Sequence, residues 1–361
     1  MSRIILALAA ITVSASSVFG SAAYFLSDML IFKGRTKEEW QVKKAAVCDE
    51  WLRNSAFADL RESKPVGAPL DLSCEQAIEY PADDFYAQNS EGLKIRYREF
   101  KNPIVGNAYA KTNKPNQLIA PIWLHVHGIN GNYLHGARYV KAASRLGFQL
   151  VAMELQNHGL SGNNAKGAAY GCRENSDAVA VFDALTKKYP NRDIFITASS
   201  MGSMAVANAA AQLMSPEYSQ QLVAVSLESP IPSVKRIVFE SPQTPKAPSA
   251  LLNAGIYLAG LRAGQNFQSC SPTDGLKFLT VPTLVQHAKP DDLVPETLAK
   301  AVFDALPENS LNRFKVYARG AHSTAWNGNP EEFESDLLSI WNAGLQYRSE
   351  FFVGKTTKKT R

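Results

Sequence analysis

No H-E-x-x-H and no C-x-x-C pair occurs anywhere in the 361 residues, so the ligand spacings of common zinc sites are missing and no metal is expected. A G-x-G-x-x-G or Walker-type loop is also absent, which argues against nucleotide chemistry. There is no internal repeat and no long low-complexity segment. The net charge is only +5, and part of it sits in the terminal stretch Lys355–Arg361. Such a short basic end reads as a solvated tail, and without a stripe of alternating basic and aromatic residues no nucleic-acid partner is expected. Cysteine is scarce, with four residues, and histidine numbers six.

A further absence is of charge near the start, where Ile4 to Leu26 carries none. The run reaches the ~20 residues that span a bilayer. Its apolar core, Ile4 to Val13, also has signal-peptide length, and Gly20-Ser-Ala22 offers a cleavage site. Residues 1–32 are therefore a signal anchor or a signal peptide. The apolar Tyr24-Phe-Leu and Met29-Leu-Ile-Phe32 favour an uncleaved anchor, since either would make an unusual mature N-terminus. Both readings place the rest of the chain outside the cytoplasm, membrane-anchored or exported. An even number of cysteines fits that compartment, and four permit three pairings. Cys48–Cys74 and Cys172–Cys270 are favoured, because each pair then lies in one neighbourhood.

The most informative stretch is Ile194-Phe-Ile-Thr-Ala-Ser-Ser200-Met-Gly202-Ser-Met-Ala-Val-Ala. A β-branched apolar run ends in serines, and an Ala-rich helical pattern follows at once. That is the layout of a nucleophile elbow, a sharp strand-to-helix turn that pushes a serine Oγ out over a sheet. So tight a turn needs small residues two before and two after the nucleophile. Ser200 satisfies this with Ala198 and Gly202, whereas Ser199 meets Thr197 and Met201, and Ser203 meets Met201.

Partners follow in the order such an architecture uses, with acid and histidine on later strand ends. Val281–His287 reads as a strand and leads to Asp291-Asp292-Leu-Val-Pro295; Arg313–Tyr317 leads to Gly320-Ala321-His322. On these motifs, over about Glu91 to Leu345, the chain resembles the α/β-hydrolase superfamily. It looks most like the branch of serine aminopeptidases, monoacylglycerol-lipase-like enzymes and small bacterial carboxylesterases. The resemblance implies Ser200 as nucleophile, His322 as base and Asp291 as acid, four residues before the proline of "VP". Glu228 is the alternative acid. In Pro121–Gly131 the family's "HG" is His127-Gly128, which implies backbone N–H groups of Ile129 and Met201 as oxyanion donors. Glu154-Leu-Gln-Asn-His158-Gly159-Leu-Ser161 resembles a family loop, with Glu154 where Asp is usual. His125, His127, His158 and His287 then read as structural, and His135 as a surface or first-turn residue.

The remaining pattern alternates strands and helices, which argues for a mostly parallel sheet covered on both faces. An extension over 33–83 includes an amphipathic helix with Trp40, Val47 and Trp51 on one face. The hydrolase domain is expected over 84–350, with a lid at about 230–274 containing the apolar stretch Ala250–Leu261. A last helix starts at Pro330, burying Phe333, Leu337, Trp341 and Leu345, and a basic tail covers 351–361. The expected function is a serine hydrolase that needs no cofactor and cleaves carboxylic esters of small acyl or lipid-like substrates. Amide cleavage, acyl transfer to an alcohol and a membrane-tethered binding module remain alternatives.

Overall fold

The computed structural model describes residues 19–30, 48–49, 52–60, 71–101, 120–218 and 220–357, with side chains to 350. Trp40, Val47 and Trp51, with the helix expected around them, lie outside the described residues, as does the uncharged run up to residue 18.

Eight strands form one sheet: β1 (Ala82–Gln88), β2 (Lys94–Phe100), β3 (Ile122–Val126), β4 (Gln149–Met153), β5 (Ile194–Ser199), β6 (Leu222–Glu228), β7 (Thr283–Ala288) and β8 (Arg313–Tyr317). Their spatial order is β1-β2-β4-β3-β5-β6-β7-β8. The hairpin β1–β2 is antiparallel and pairs antiparallel to β4, while every pair from β4 to β8 is parallel. This is the α/β-hydrolase fold. The sequence dictates the parallel part: β3, β5, β6 and β7 are buried at every position, and their apolar runs suit strands covered on both faces.

The covering helices include α1 (Asn175–Lys188), α2 (Met201–Leu213), α3 (Val234–Glu240), α4 (Ser249–Ala263), α5 (Glu296–Asp304) and α6 (Pro330–Thr357). One apolar core lies under α1 and α2, where Val181, Phe182, Val206 and Leu213 meet the β3 and β5 side chains. The opposite core joins Trp123, Phe148 and Phe195 to Phe333, Leu337 and Trp341 of α6. Leu345 is only half-buried there, whereas Ile340 of the same helix is fully buried. The backbone of α6 continues to Thr357, into the stretch read above as a basic tail.

Helices α3 and α4 come from the insertion between β6 and β7, where the strand–helix pattern of the sequence breaks. They build a third apolar cluster in which Ile231, Val234, Leu252, Ile256 and Phe267 meet Met204 of α2. An N-terminal helix at residues 19–30 rests against this cluster through Leu26 and Leu30. No helix among the described residues is long and apolar enough to cross a membrane.

Disulfides join Cys48 to Cys74 and Cys172 to Cys270. The first holds the segment at Cys48 and Leu52 in the apolar core that also contains Trp326. The second ties the end of the α3–α4 insertion to the loop before α1, across a separation of 98 residues. A closure of that length contributes about 4–5 kcal/mol in the chain-entropy model. Replacing both Cys172 and Cys270 by serine should therefore lower the melting temperature by on the order of 10 °C in a calorimetric scan. An unchanged melt would show that the bridge constrains nothing the fold does not already fix.

Candidate active site

The turn between β5 and α2 is built by close backbone approach. Ser200 sits at φ 50°, ψ −121°, a region that costs a non-glycine residue of order 1–3 kcal/mol. The strain is held by its surroundings: the Ser200 N–H donates to the Glu228 carbonyl at 2.9 Å, and the next helical turn starts at once. Gly202 is required because a Cβ there would fall 2.4 Å from the Val126 carbonyl oxygen and 2.5 Å from that of His127. Gly128 is pressed on the serine itself, where a Cβ would lie 3.0 Å from Ser200 Cβ and 3.6 Å from its Oγ. This brings the backbone after Gly128 beside the nucleophile candidate, with Ile129 lining the space around Ser200. Met201 begins α2, so its N–H belongs to the electropositive end of that helix.

The loops after β7 and β8 bring the other residues in. His322 Nε2 lies 2.8 Å from Ser200 Oγ, and His322 Nδ1 lies 2.9 Å from Asp291 Oδ2. The second carboxylate oxygen of Asp291 accepts the N–H groups of Leu293 and Val294, at 3.0 and 2.9 Å. Burial works against ionisation of Asp291, but the His322 hydrogen bond and charge, together with the Val294 N–H, outweigh it. The carboxyl group is held below its ordinary value. An ionised Asp291 can only accept from Nδ1, which leaves the Nε2 lone pair facing the serine hydroxyl. Asp292, by contrast, is exposed and points into the groove beside the site.

Glu228 does something different. Its Oε1 accepts the Ala325 N–H at 2.8 Å, and its Oε2 lies 3.8 Å from Arg138. Burial raises its carboxyl, against the pull of Arg138 and the Ala325 N–H. Arg138, itself 1% exposed, donates to Asn327 Oδ1 at 3.0 Å and to the Ser323 carbonyl at 2.8 Å. Together these groups anchor the loop that carries His322. Arg138 and Asn327 escaped the sequence reading because their partners lie almost two hundred positions away and neither stands in a motif.

The other histidines are buried away from the Ser200 hydroxyl, and all but His287 are held by hydrogen bonds. His127 Nε2 accepts the Leu155 N–H at 3.1 Å, so its Nδ1 donates to the Gly128 carbonyl at 2.6 Å. His158 contacts the Gln156 carbonyl and the Asn130 N–H, and His125 contacts Thr197 Oγ1. Burial lowers the pKa of all three, that of His158 to about 4. His287, in β7, is likewise lowered by burial. His135 is no surface residue: it is buried, in the short helix Tyr133–Ala137, its Nδ1 accepts the Asn132 N–H, and burial lowers its pKa to about 3. Glu154 lies away from the serine, paired with Arg96 at 3.2 Å. Its length over aspartate is accommodated by Gly159, where a Cβ would meet the carboxylate at 2.2 Å.

Two spaces meet at Ser200. One, of about 520 Å³, is lined mainly by apolar residues, among them Leu26, Met29, Ile231, Val238 and Leu252. The other, of about 470 Å³, is a more polar groove that includes Asn54, Ser55, Asn130, Asp292 and Thr324.

The fold is that of the α/β hydrolases, and at its strand ends a serine, a histidine and a carboxylate form one hydrogen-bonded series. Residues 120–268 match the family described as "Serine aminopeptidase, S33". A lysophosphatidylserine lipase, ABHD12 of Xenopus tropicalis, is 23% identical over 207 residues, 54% of this chain and 50% of the lipase. The chain thus spans half the length of that relative. The uncharacterised protein YqkD of Bacillus subtilis is 23% identical over 238 residues, 65% of this chain and 73% of YqkD. Among solved structures, the Pyrococcus furiosus esterase Pf2001 superposes with a TM-score of 0.55 at 14% identity, covering 78% of this chain and 98% of the esterase.

Asp291→Asn should lower kcat/KM for an activated ester by on the order of 10⁴, since an amide in that place favours the wrong imidazole tautomer. Asp292→Asn should change it by less than about tenfold, because that side chain is exposed and does not touch His322. A reversed pattern, or a large loss confined to Glu228→Gln, would remove Asp291 from the site.

Proposed function

We propose that the protein hydrolyses carboxylic esters through an acyl-enzyme on Ser200. The observation that carries this reading is the hydrogen-bonded series Ser200 Oγ–His322 Nε2 and His322 Nδ1–Asp291 Oδ2, at 2.8 and 2.9 Å, where an apolar chamber meets a polar groove. Ser200 attacks the ester carbonyl while His322 takes the hydroxyl proton, and Asp291 supports the imidazolium so formed. The negative oxygen of the tetrahedral intermediate is stabilised by the N–H groups of Ile129 and Met201, the first of which follows a glycine packed on the serine. Collapse breaks the ester bond, and His322 gives its proton to the leaving alcohol. Water then repeats the sequence on the acyl-enzyme, with no cofactor.

The two spaces divide the substrate. The apolar chamber suits an acyl chain, and α3 and α4 roof it as a lid that excludes water. The groove takes the alcohol. Among the described residues that line it, Asp292 is the only acid and there is no lysine or arginine, so a neutral or cationic alcohol fits better than a phosphate. On this basis a monoacylglycerol should be turned over faster than a lysophosphatidylserine of the same chain, the substrate class in the name of the ABHD12 relative. Preference for the anionic lipid would overturn the assignment of the groove. Turnover of an aminoacyl anilide but of no ester would favour a peptidase instead.

The uncharged N-terminal run supports retention at a membrane, and the two disulfides support a catalytic domain on its extracytoplasmic side. Outward-facing Tyr24, Phe25 and Met29 add apolar surface beside Tyr257 and Leu261 of α4. Release of the natively produced protein from membranes by alkaline carbonate would exclude the anchor.

Ser200→Ala should abolish ester hydrolysis and covalent labelling by a fluorophosphonate, while Ser199→Ala and Ser203→Ala keep substantial activity. The Ser203 hydroxyl is occupied elsewhere, donating to the Ala198 carbonyl at 2.9 Å. Undiminished labelling of the Ser200→Ala protein would refute the mechanism.

A further inference from the structure

The N-terminal helix at 19–30 is unused by the chemistry above, yet it is built into the molecule. Its inward positions, Ala23, Leu26, Ser27 and Leu30, recur at the spacing of one helical face. That face lies on α4. Gly255 allows the approach, since a Cβ there would fall 2.9 Å from Leu26 Cβ. The contact is also polar and specific. Arg262, in the last turn of α4, donates from Nη1 to Ser27 Oγ at 2.6 Å and from Nη2 to Asp28 Oδ1 at 2.5 Å. Its guanidinium lies 4.5 Å from the centre of the Tyr24 ring. Ser27 is fully buried, and its hydroxyl donates to the Tyr24 carbonyl at 2.7 Å.

A segment that served only to direct export would need length and apolarity, and nothing in that task calls for a buried serine matched to an arginine 235 residues later. Four of its residues, Leu26, Asp28, Met29 and Leu30, line the same chamber as Ser200, Ile231 and Leu252. Met29 is 54% exposed, so it borders both the chamber and the outer surface.

We propose that residues 23–30 are a permanent wall of the substrate site and set which acyl chains it accepts, with Leu26, Met29 and Leu30 as the specificity-determining contacts. The inference rests on the reading of this chamber as the acyl site of a Ser200 hydrolase. It assigns to the N-terminal segment a role in the mature enzyme. Arg262 is a positioning residue, acting through Ser27 and Asp28.

The test uses the full chain and p-nitrophenyl esters from butyrate to dodecanoate. Met29→Trp adds bulk at the chamber wall and should lower the dodecanoate-to-butyrate ratio of kcat/KM about tenfold, chiefly through KM. Leu26→Ala should move the optimum to longer chains. Phe25→Trp, on the exposed side and outside the chamber, should leave the ratio as it is. An unchanged profile in both Met29→Trp and Leu26→Ala, with Ser200→Ala inactive, would overturn the wall and leave the hydrolase reading intact. Activity that survives Ser200→Ala would overturn both. The N-terminus of natively produced, active protein gives an independent check by mass. It should start at or before Ala23, and a start after Ala23 would overturn the proposal.

Discussion

Everything at the site depends on how closely two pieces of backbone approach each other at the end of the sheet. The turn after β5 is pressed against the turn after β3, with no room for a side chain at Gly202 and only a tight fit for one at Gly128. That contact holds Ser200 in a conformation it would not adopt alone, and the bond from its N–H to Glu228 ties the same turn to β6. The local cost is met by the surrounding parallel sheet, whose buried strands leave the turn nowhere else to go. Loops from β7 and β8 need only reach the same edge to bring acid and imidazole within hydrogen-bond distance.

The His322 loop is steadied from beneath by charge buried where water cannot screen it. Arg138 and Glu228 lie 3.8 Å apart, and each is further bound to the loop, through Ser323 and Asn327 on one side and Ala325 on the other. Removing one member would strand the other in a low-dielectric interior, a heavier penalty than losing an exposed pair. Asn327 also donates to the carbonyls of Ala56 and Ala58, at 3.2 and 2.9 Å. The segment before β1 is therefore fastened to the loop that carries His322.

Much of this was legible because the determinants are local. Ser200 could be chosen among three serines since a tight turn admits only small neighbours, and a run such as Ile194–Thr197 can hardly be anything but a buried strand. The family resemblance, through the spacing to Pro295, singles out Asp291 over Asp292, and Asp291 is the one that lies 2.9 Å from His322. Both disulfide pairs follow from neighbourhood, the mostly parallel sheet from the alternation of strand and helix patterns, and the α/β-hydrolase fold from the resemblance carried by the motifs. Other features depend on contacts between distant parts of the chain, which no local pattern encodes. The burial of His135, the partners of Arg138 and the seat of the 19–30 helix on α4 are of that kind. Leu345 shows the limit of periodicity alone: helical spacing names the face, but Ile340 fills the core position more fully.

The bridge between Cys172 and Cys270 has a topological consequence. It closes a covalent ring that contains α1, β5, Ser200, α2, β6, α3 and α4, while Asp291 and His322 lie outside it. The stretch joining α3 to α4, residues 241–248, is mostly at the surface and has no regular structure of its own, which opens it to a protease. A single cut there would open the ring without dividing the molecule. Each half would stay tethered, one helix through β6 and the other through Cys270. Such a nicked chain would gain only the mass of one water and would stay a single covalent species until it was reduced, so a separation by size that leaves the sulfur–sulfur bond in place would not resolve the damage.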